Sequence, residues 1–87
     1  MDKTVLITGA TSGIGFESAR QIAAMGADVI GVGSSQISCD KASNRMLSYG
    51  CKVDYIACDL SDQESVRALA ATINSRFNRL NVLINNA

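Results

Sequence analysis

Hydrophobic residues along the chain follow two alternating patterns, short continuous runs and longer stretches with a helical period. Each run predicts a β-strand of a parallel sheet, because such strands are covered on both faces and are apolar on both sides. The predicted strands are residues 5–8, 29–32, 53–58 and 82–84. Residues 14–25 and 38–49 have apolar positions at helical spacing and predict two helices, and a third is predicted after Ser61.

The predicted helices also have local start and stop signals. Gly26 and Gly50 follow the first two helices, at positions where a left-handed residue commonly ends a helix. Ser61 and Glu64 have the spacing of a capping box, with Ser61 at the N-cap of the third helix and Glu64 at N3. The apolar stripes predicted to face the sheet are Ala19, Ile22 and Ala23, then Cys39, Ala42, Met46 and Leu47, then Val66, Leu69, Ala70, Ile73 and Phe77.

Strands that alternate with helices predict an α/β fold with right-handed crossovers between parallel strands. We therefore expect a Rossmann-type doubly wound parallel sheet, present in part, with four strands in the order 3-2-1-4 and three helices. The first two helices would lie on one face of the sheet and the third on the other. A ligand crevice would then open between strands one and four.

Charge and cysteine content exclude several classes of function. Eight basic residues balance eight acidic ones without a run of like charge, so neither nucleic acid nor a membrane is an expected partner. No apolar run has the length of a membrane span or a signal peptide. Cys39, Cys51 and Cys58 lack metal-ligand spacing, and the chain has no histidine. We expect a reduced cytoplasmic protein without a metal, in which Cys39 would react only if exposed.

Three glycines lie between the first predicted strand and the first predicted helix. Gly9 would permit a tight turn, Gly13 would let a pyrophosphate approach the main chain, and Gly15 would let helix and strand pack closely. The helix that follows presents free N–H groups to a phosphate. A Walker A loop is excluded, since no lysine follows Gly13 at the required position. The pattern favours a dinucleotide.

Three motifs together resemble the short-chain dehydrogenase/reductase family, in its classical branch. They are the turn at residues 8–15, Thr-Gly-Ala-Thr-Ser-Gly-Ile-Gly, the pair Asp59-Leu60, and the segment Asn85-Asn86-Ala87. The resemblance covers the whole chain and implies an oxidoreductase that transfers hydride between NAD or NADP and an alcohol or carbonyl. Residues 1–87 would then be the N-terminal, dinucleotide-binding half of a truncated Rossmann domain.

The resemblance assigns pyrophosphate contacts to residues of the glycine-rich turn. Thr11, Ser12 and Ile14 would make these contacts, in a turn shaped by Gly9, Gly13 and Gly15. A second interpretation of Ser12, as a helix N-cap, carries equal weight.

The resemblance also assigns residues to the adenosine half of the cofactor. Asp59 would accept a hydrogen bond from the adenine amino group, with Leu60 beside the ring. Asn86 would tie strand four to its neighbours, and Ala87 would lie against the adenosine ribose. Two alternatives stay open, since Asp59 can be a loop acid near a helix start and Asn86 can be purely structural.

The end of the second strand departs from the usual dinucleotide pattern. An acid about 20 residues beyond the turn normally binds the ribose hydroxyls of NAD, and an arginine accommodates the 2′-phosphate of NADP. Here the residues are Gly33, Ser34 and Ser35. Without an acid to repel phosphate, and with Ser34, Ser35 and Lys41 able to bond it, the pattern favours NADP over NAD. A flexible loop without a cofactor contact is the alternative.

Hydride transfer in this family uses a Tyr-x-x-x-Lys pair and an upstream serine. Tyr49 and Tyr55 are followed four residues later by Val53 and Asp59, so no such pair occurs in these 87 residues. We predict no catalytic residue and expect the chain alone to be inactive. Both tyrosines are interpreted as packing residues.

Two further hypotheses concern the protein as a whole. A non-catalytic nucleotide-binding or dimerising module of this length is the alternative to an oxidoreductase, whereas a methyltransferase is disfavoured because its site usually has an acid where Gly33 or Ser34 stands. An uncovered edge at strand four predicts either a homo-oligomer or association with the remainder of a larger chain.

Overall fold

The computed structural model describes residues 3–76 and 82–84 of the chain. Strands and helices alternate along these residues, as the hydrophobic pattern predicts. The elements are β1 (Thr4–Thr8), α1 (Gly13–Ala24), β2 (Asp28–Gly33), α2 (Gln36–Ser48), β3 (Asp54–Ala57), α3 (Gln63–Arg76) and β4 (Val82–Ile84). The predicted Rossmann-type α/β class is confirmed.

The strands of the described residues form one parallel sheet with the order β3-β2-β1-β4. In its registers, Leu6 is opposite Ile30 and Gly31 is opposite Tyr55. Because all the strands run in the same direction, their carboxyl ends meet at one edge of the sheet. The turns after β1, β2 and β3 therefore converge at that edge.

Side chains of the central strands alternate between two apolar layers, one on each face of the sheet. Val5 and Ile7 pack with residues of α1 and α2, including Phe16 and Met46. Leu6 packs on the other face with Ile30, Val32, Cys58 and Leu69, the last of which belongs to α3. The expectation that the first two helices share one face and the third lies on the other is confirmed.

Helix α3 begins differently from the sequence prediction. The carboxylate of Asp62, rather than the Ser61 side chain, accepts the N–H of Glu64 at 3.1 Å, and the Asp62 carbonyl accepts the N–H of Val66. The Ser61 hydroxyl instead donates to Asp59 at 2.6 Å. The predicted capping box is wrong, because a nearby acid competes for Ser61 and Asp62 can cap the helix itself.

Some predicted apolar stripe residues are exposed. Leu47 is 59% exposed, although Cys39, Ala42 and Met46 on the same helix are buried as predicted. On α3, Leu69 is buried, whereas Val66 is 40% exposed and Ala70 is also exposed. Phe77 lies outside the described residues. The predicted stripes on α2 and α3 are wider than the faces that these helices bury against the sheet.

Candidate functional site

A cleft of about 230 Å³ opens at the carboxyl edge of the sheet. Its lining comes from the turn after β1, the end of β2 and the segment after β3. The lining residues are Gly9, Thr11, Ser12, Val32, Gly33, Ser34, Cys58 and Leu60. Sites for whole organic ligands usually measure about 300–1,000 Å³, so this cleft fits part of a dinucleotide.

The glycine-rich turn connects β1 to α1 across this edge. Gly9 and Gly13 have positive φ angles of 62° and 59°, a conformation that side chains disfavour. Ser12 lies at the N-cap of α1, but its side chain makes no capping hydrogen bond, and the first turn of the helix has no acid. The N-terminus of α1 thus has uncapped N–H groups, which attract an anion.

The consecutive residues Gly13, Ile14 and Gly15 differ in their exposure to solvent. A Cβ at Gly13 would meet no atom within 4 Å, so open space lies against its backbone. Ile14 is 79% exposed, and Gly15 is buried. The geometry is compatible with the roles predicted for Gly13 in phosphate approach and for Gly15 in close packing.

At the end of β2, Gly33 is packed closely against side chains of the turn and of α2. A Cβ there would lie 2.4 Å from Cγ2 of Thr11 and 2.8 Å from the Cys39 sulfur. Cys39 itself is buried, and burial raises the pKa of its thiol. The exposure on which the predicted reactivity of Cys39 depends is therefore absent, and the raised pKa keeps the thiol protonated at neutral pH.

The two serines after Gly33 have different environments. Ser35 is the N-cap of α2, where its Oγ accepts the N–H of Ser38 at 3.1 Å and donates to the Ser38 hydroxyl at 2.9 Å. Ser34 is exposed and lines the cleft. Lys41 is exposed on α2 and does not line it. Ser34 is the best placed of the three toward the cleft.

Asp59 and Leu60 follow β3 and lie at the same edge. Oδ1 of Asp59 accepts both the Ser61 hydroxyl and the Ser61 N–H, at 2.6 and 3.0 Å. These bonds, the hydroxyl bond first, hold the pKa of Asp59 below its usual value, so the group is a carboxylate at neutral pH. Leu60 is half exposed and lines the cleft.

The predicted residues Asn86 and Ala87 lie outside the described residues. The predicted crevice between strands one and four stays a prediction, and the described cleft is lined by residues at and after the ends of β1, β2 and β3. Val32 and Cys58 line it without having been predicted as site residues. Their signal in the sequence was their place at the carboxyl ends of parallel strands, where ligands bind in such sheets.

Neither a metal site nor a membrane span is found in the described part of the chain. Residues 3–76 and 82–84 contain no cluster of His, Cys, Asp or Glu that could hold a metal ion. None of the helices described there has both the length and the apolar character to cross a bilayer.

Known proteins share both the sequence and the fold of this chain. The family model described as short chain dehydrogenase matches residues 3–87. A 3beta-hydroxysteroid dehydrogenase of Mediterraneibacter gnavus is 38% identical over 86 residues, which are 99% of this chain and 31% of that protein.

Two solved structures show the same relation. The citronellol catabolism dehydrogenase AtuB of Pseudomonas aeruginosa PAO1 superposes with a TM-score of 0.90 at 35% identity, over 100% of this chain and 37% of that one. A metagenomic short-chain oxidoreductase in complex with NADP gives a TM-score of 0.86 at 29% identity, over 98% of this chain and 38% of that one. This chain thus spans about a third of the length of these relatives.

Proposed function

The chain belongs to the short-chain dehydrogenase family, and on that premise we propose that it is the cofactor-binding portion of an NAD(P)-dependent oxidoreductase acting on an alcohol or carbonyl. The observation that carries the proposal is the cleft at the carboxyl edge of the sheet, formed by the glycine-rich turn together with Ser34 and Leu60. Bound in the protein, the nicotinamide cofactor supplies or accepts the hydride.

The N-terminus of α1 would bind the pyrophosphate. Its first turn has no acidic residue, and the Ser12 side chain does not cap it, so its N–H groups and partial positive charge favour an anion. The space against Gly13 admits a phosphate to the main chain. The Thr11 and Ser12 hydroxyls would add hydrogen bonds from the cleft wall.

Asp59 and Leu60 would recognise the adenine. Both bonds from Ser61 reach Oδ1 of Asp59, which leaves Oδ2 to accept the adenine amino group. The lowered pKa of Asp59 supports this role, since the acceptor is ionised at neutral pH. The exposed side chain of Leu60 offers an apolar surface to the ring.

NADP is the favoured cofactor. Neither Gly33 nor Ser34 supplies the carboxylate that binds the ribose of NAD and repels a 2′-phosphate. Ser34 lines the cleft and can donate to the phosphate, whereas the Ser35 hydroxyl is already bonded to Ser38. The NADP complex of the metagenomic relative supports the same choice.

Residues 1–87 would form the N-terminal half of a larger Rossmann domain. The chain matches only about a third of its relatives, and its α3 exposes Val66 and Ala70. Further chain, or a second copy, would cover that surface. The cleft of about 230 Å³ is then a partial site, and the residues that protonate the substrate would come from elsewhere.

Calorimetric titration with NADP and NAD tests the proposal, with Gly13→Ala as the decisive variant. A methyl group at Gly13 would enter the space assigned to the pyrophosphate, so we expect NADP affinity to fall at least about tenfold. Gly50→Ala is the matched control. Gly50 also has a positive φ, of 75°, and also meets nothing within 4 Å, but it lies after α2, away from the cleft.

Both variants introduce similar backbone strain, so their unfolding free energies should fall by a similar amount, about 1 kcal/mol. Only Gly13→Ala should weaken the binding of NADP. Equal affinity of the two variants for NADP would overturn the proposed pyrophosphate position. Failure of the wild-type protein to bind either dinucleotide would overturn the proposed function.

A further inference from the structure

Tyr55 spans the width of one strand to reach the glycine-rich turn. It lies in β3, whose partner β2 separates it from β1. Its hydroxyl donates a 2.8 Å hydrogen bond to the main-chain carbonyl of Ala10, which is 45 residues away in sequence. The Tyr55 side chain thus links strand β3 to the turn that leads into α1.

Gly31 makes this crossing possible. It is the β2 residue opposite Tyr55 in the strand register. A Cβ at Gly31 would lie 2.6 Å from Cε1 and 2.8 Å from Cδ1 of the Tyr55 ring, and 3.2 Å from Cβ of Ala10. The ring therefore occupies the space that any other residue at 31 would fill. The two positions are complementary, a glycine on one strand and a tyrosine on the next.

The bond from Tyr55 gives the second main-chain polar group of a buried residue its partner. Ala10 is fully buried, and its N–H donates to the carbonyl of Val32 at 3.1 Å. Its own carbonyl accepts the Tyr55 hydroxyl. A buried carbonyl without a partner is costly, so this bond stabilises the turn conformation present in the structure. Burial raises the pKa of Tyr55 to about 12, so the hydroxyl keeps its proton at neutral pH.

We infer that Tyr55 is a positioning residue, whose hydroxyl holds the Ala10 carbonyl and thereby keeps residues 9–13 in the shape that receives a dinucleotide pyrophosphate. The cofactor in this inference rests on the proposed function. The ordering of the turn by Tyr55 does not, and it can be measured without any ligand.

Tyr55→Phe removes the donor and keeps the ring. We expect the Ala10 amide hydrogen, which is bonded to the Val32 carbonyl, to exchange faster, while those within β1 and β2 keep their protection, and NADP affinity to fall about tenfold. Tyr49→Phe is the matched control. Tyr49 is 56% exposed and lies at the end of α2, where its ring packs with Phe16 and Arg20. Removing the Tyr49 hydroxyl should change neither amide exchange in the turn nor NADP affinity.

Gly31→Ala tests the same link from the opposite side. The added methyl displaces the Tyr55 ring, so the Ala10 amide hydrogen should exchange faster even with the hydroxyl present. Once the ring is displaced, the further change Tyr55→Phe should have no effect of its own. In a double-mutant cycle, the effects of the two substitutions on amide exchange in the turn should therefore be strongly coupled. Independent, additive effects would contradict the inference.

A measurement on the wild-type protein covers the case in which Tyr55→Phe does not fold. The Tyr55 hydroxyl proton should give a separate, slowly exchanging NMR signal with a nuclear Overhauser contact to Ala10. Absence of that signal, or uniform loss of protection across the sheet in Tyr55→Phe, overturns the positioning role. If wild-type protein binds no dinucleotide but the turn exchange responds as expected, the proposed function fails and the positioning role stands.

Discussion

Among single residues, those at the end of β2 limit which side chains can lie beside the cleft. Dinucleotide-binding sheets usually have an acid near this point. The space that a side chain at Gly33 would need is occupied by the Thr11 methyl group and the Cys39 sulfur, at 2.4 and 2.8 Å. An acid at 33 would therefore displace the Thr11 and Cys39 side chains. The next residue, Ser34, is exposed at the cleft, so it is the position where charge can be introduced without repacking.

Ser34→Asp tests the proposed preference for NADP, which the substitution is expected to weaken. A carboxylate at 34 would repel the 2′-phosphate and lower NADP affinity about tenfold, with a smaller effect on NAD, because like charges a few ångströms apart cost about 1–4 kcal/mol. Ser34→Asn has the same size without the charge and serves as the control. Calorimetry with both cofactors provides the comparison. Parallel losses for NADP and NAD would place the 2′-phosphate elsewhere.

At the scale of the elements, the start of α3 is set by competition among three polar side chains. Asp59 holds Ser61 through two hydrogen bonds, and Asp62 caps the helix through the N–H of Glu64. The turn after β3 and the helix start are therefore separate hydrogen-bonded units. Each can be removed without the other, which gives two predictions.

Asp62→Ala should lower the free energy of unfolding by about 0.5–2 kcal/mol, since it removes the side chain that caps α3. Ser61→Ala should cost less, because Ser61 makes no bond to the helix N-terminus among its observed contacts. Urea denaturation of both variants measures the difference. A larger loss of unfolding free energy in Ser61→Ala than in Asp62→Ala would support the capping box predicted from the sequence.

Ser61→Ala should also raise the pKa of Asp59 toward its ordinary value. The Ser61 hydroxyl is the first cause of the lowered pKa, and the Ser61 N–H bond remains in the variant. A carboxyl with a lowered pKa in the folded state stabilises the protein above its unfolded-state pKa, and that contribution disappears as pH falls through the folded value. NMR titration of the Asp59 side chain measures the shift. An unchanged pKa would mean that the backbone bond alone is responsible.

At the scale of the whole molecule, the two faces of the sheet are covered unequally. Helices α1 and α2 pack their buried residues, among them Phe16, Ala19 and Met46, on one face. On the other face α3 contributes Leu69 to the buried cluster, and Val66 stays partly exposed. The stability of the described fold therefore depends mainly on the α1 and α2 side.

Met46→Ala is expected to lower the free energy of unfolding by about 2–5 kcal/mol, because Met46 is fully buried and its removal leaves a cavity. Leu47→Ala is the control, an adjacent apolar residue that is 59% exposed, and it should change stability by less than about 0.5 kcal/mol. The shift in urea midpoint measures both. A comparable cost at Leu47 would show that another surface covers it.

Much of the fold was predictable because its signals are local in the chain. Apolar runs, helical spacing and the glycines after α1 and α2 each follow from the conformations that neighbouring residues allow. The tight turn at Gly9 was predictable for the same reason, and Gly9 has the positive φ that such a turn uses. The error at Ser61 arose where two local solutions of similar energy compete, Ser61 or Asp62 as the cap.

Spacing and ordered motifs were enough to predict the Rossmann-type class and the family, because these signals are local in the chain, and the same motifs nominate the residues proposed to meet a dinucleotide. The contacts across the sheet follow instead from the three-dimensional fold. It buried the Cys39 thiol, filled the space at Gly33 with Thr11, and joined Tyr55 to Ala10 over Gly31. Such contacts depend on strand register and on the absence of a side chain on a neighbouring strand, and no local pattern encodes either.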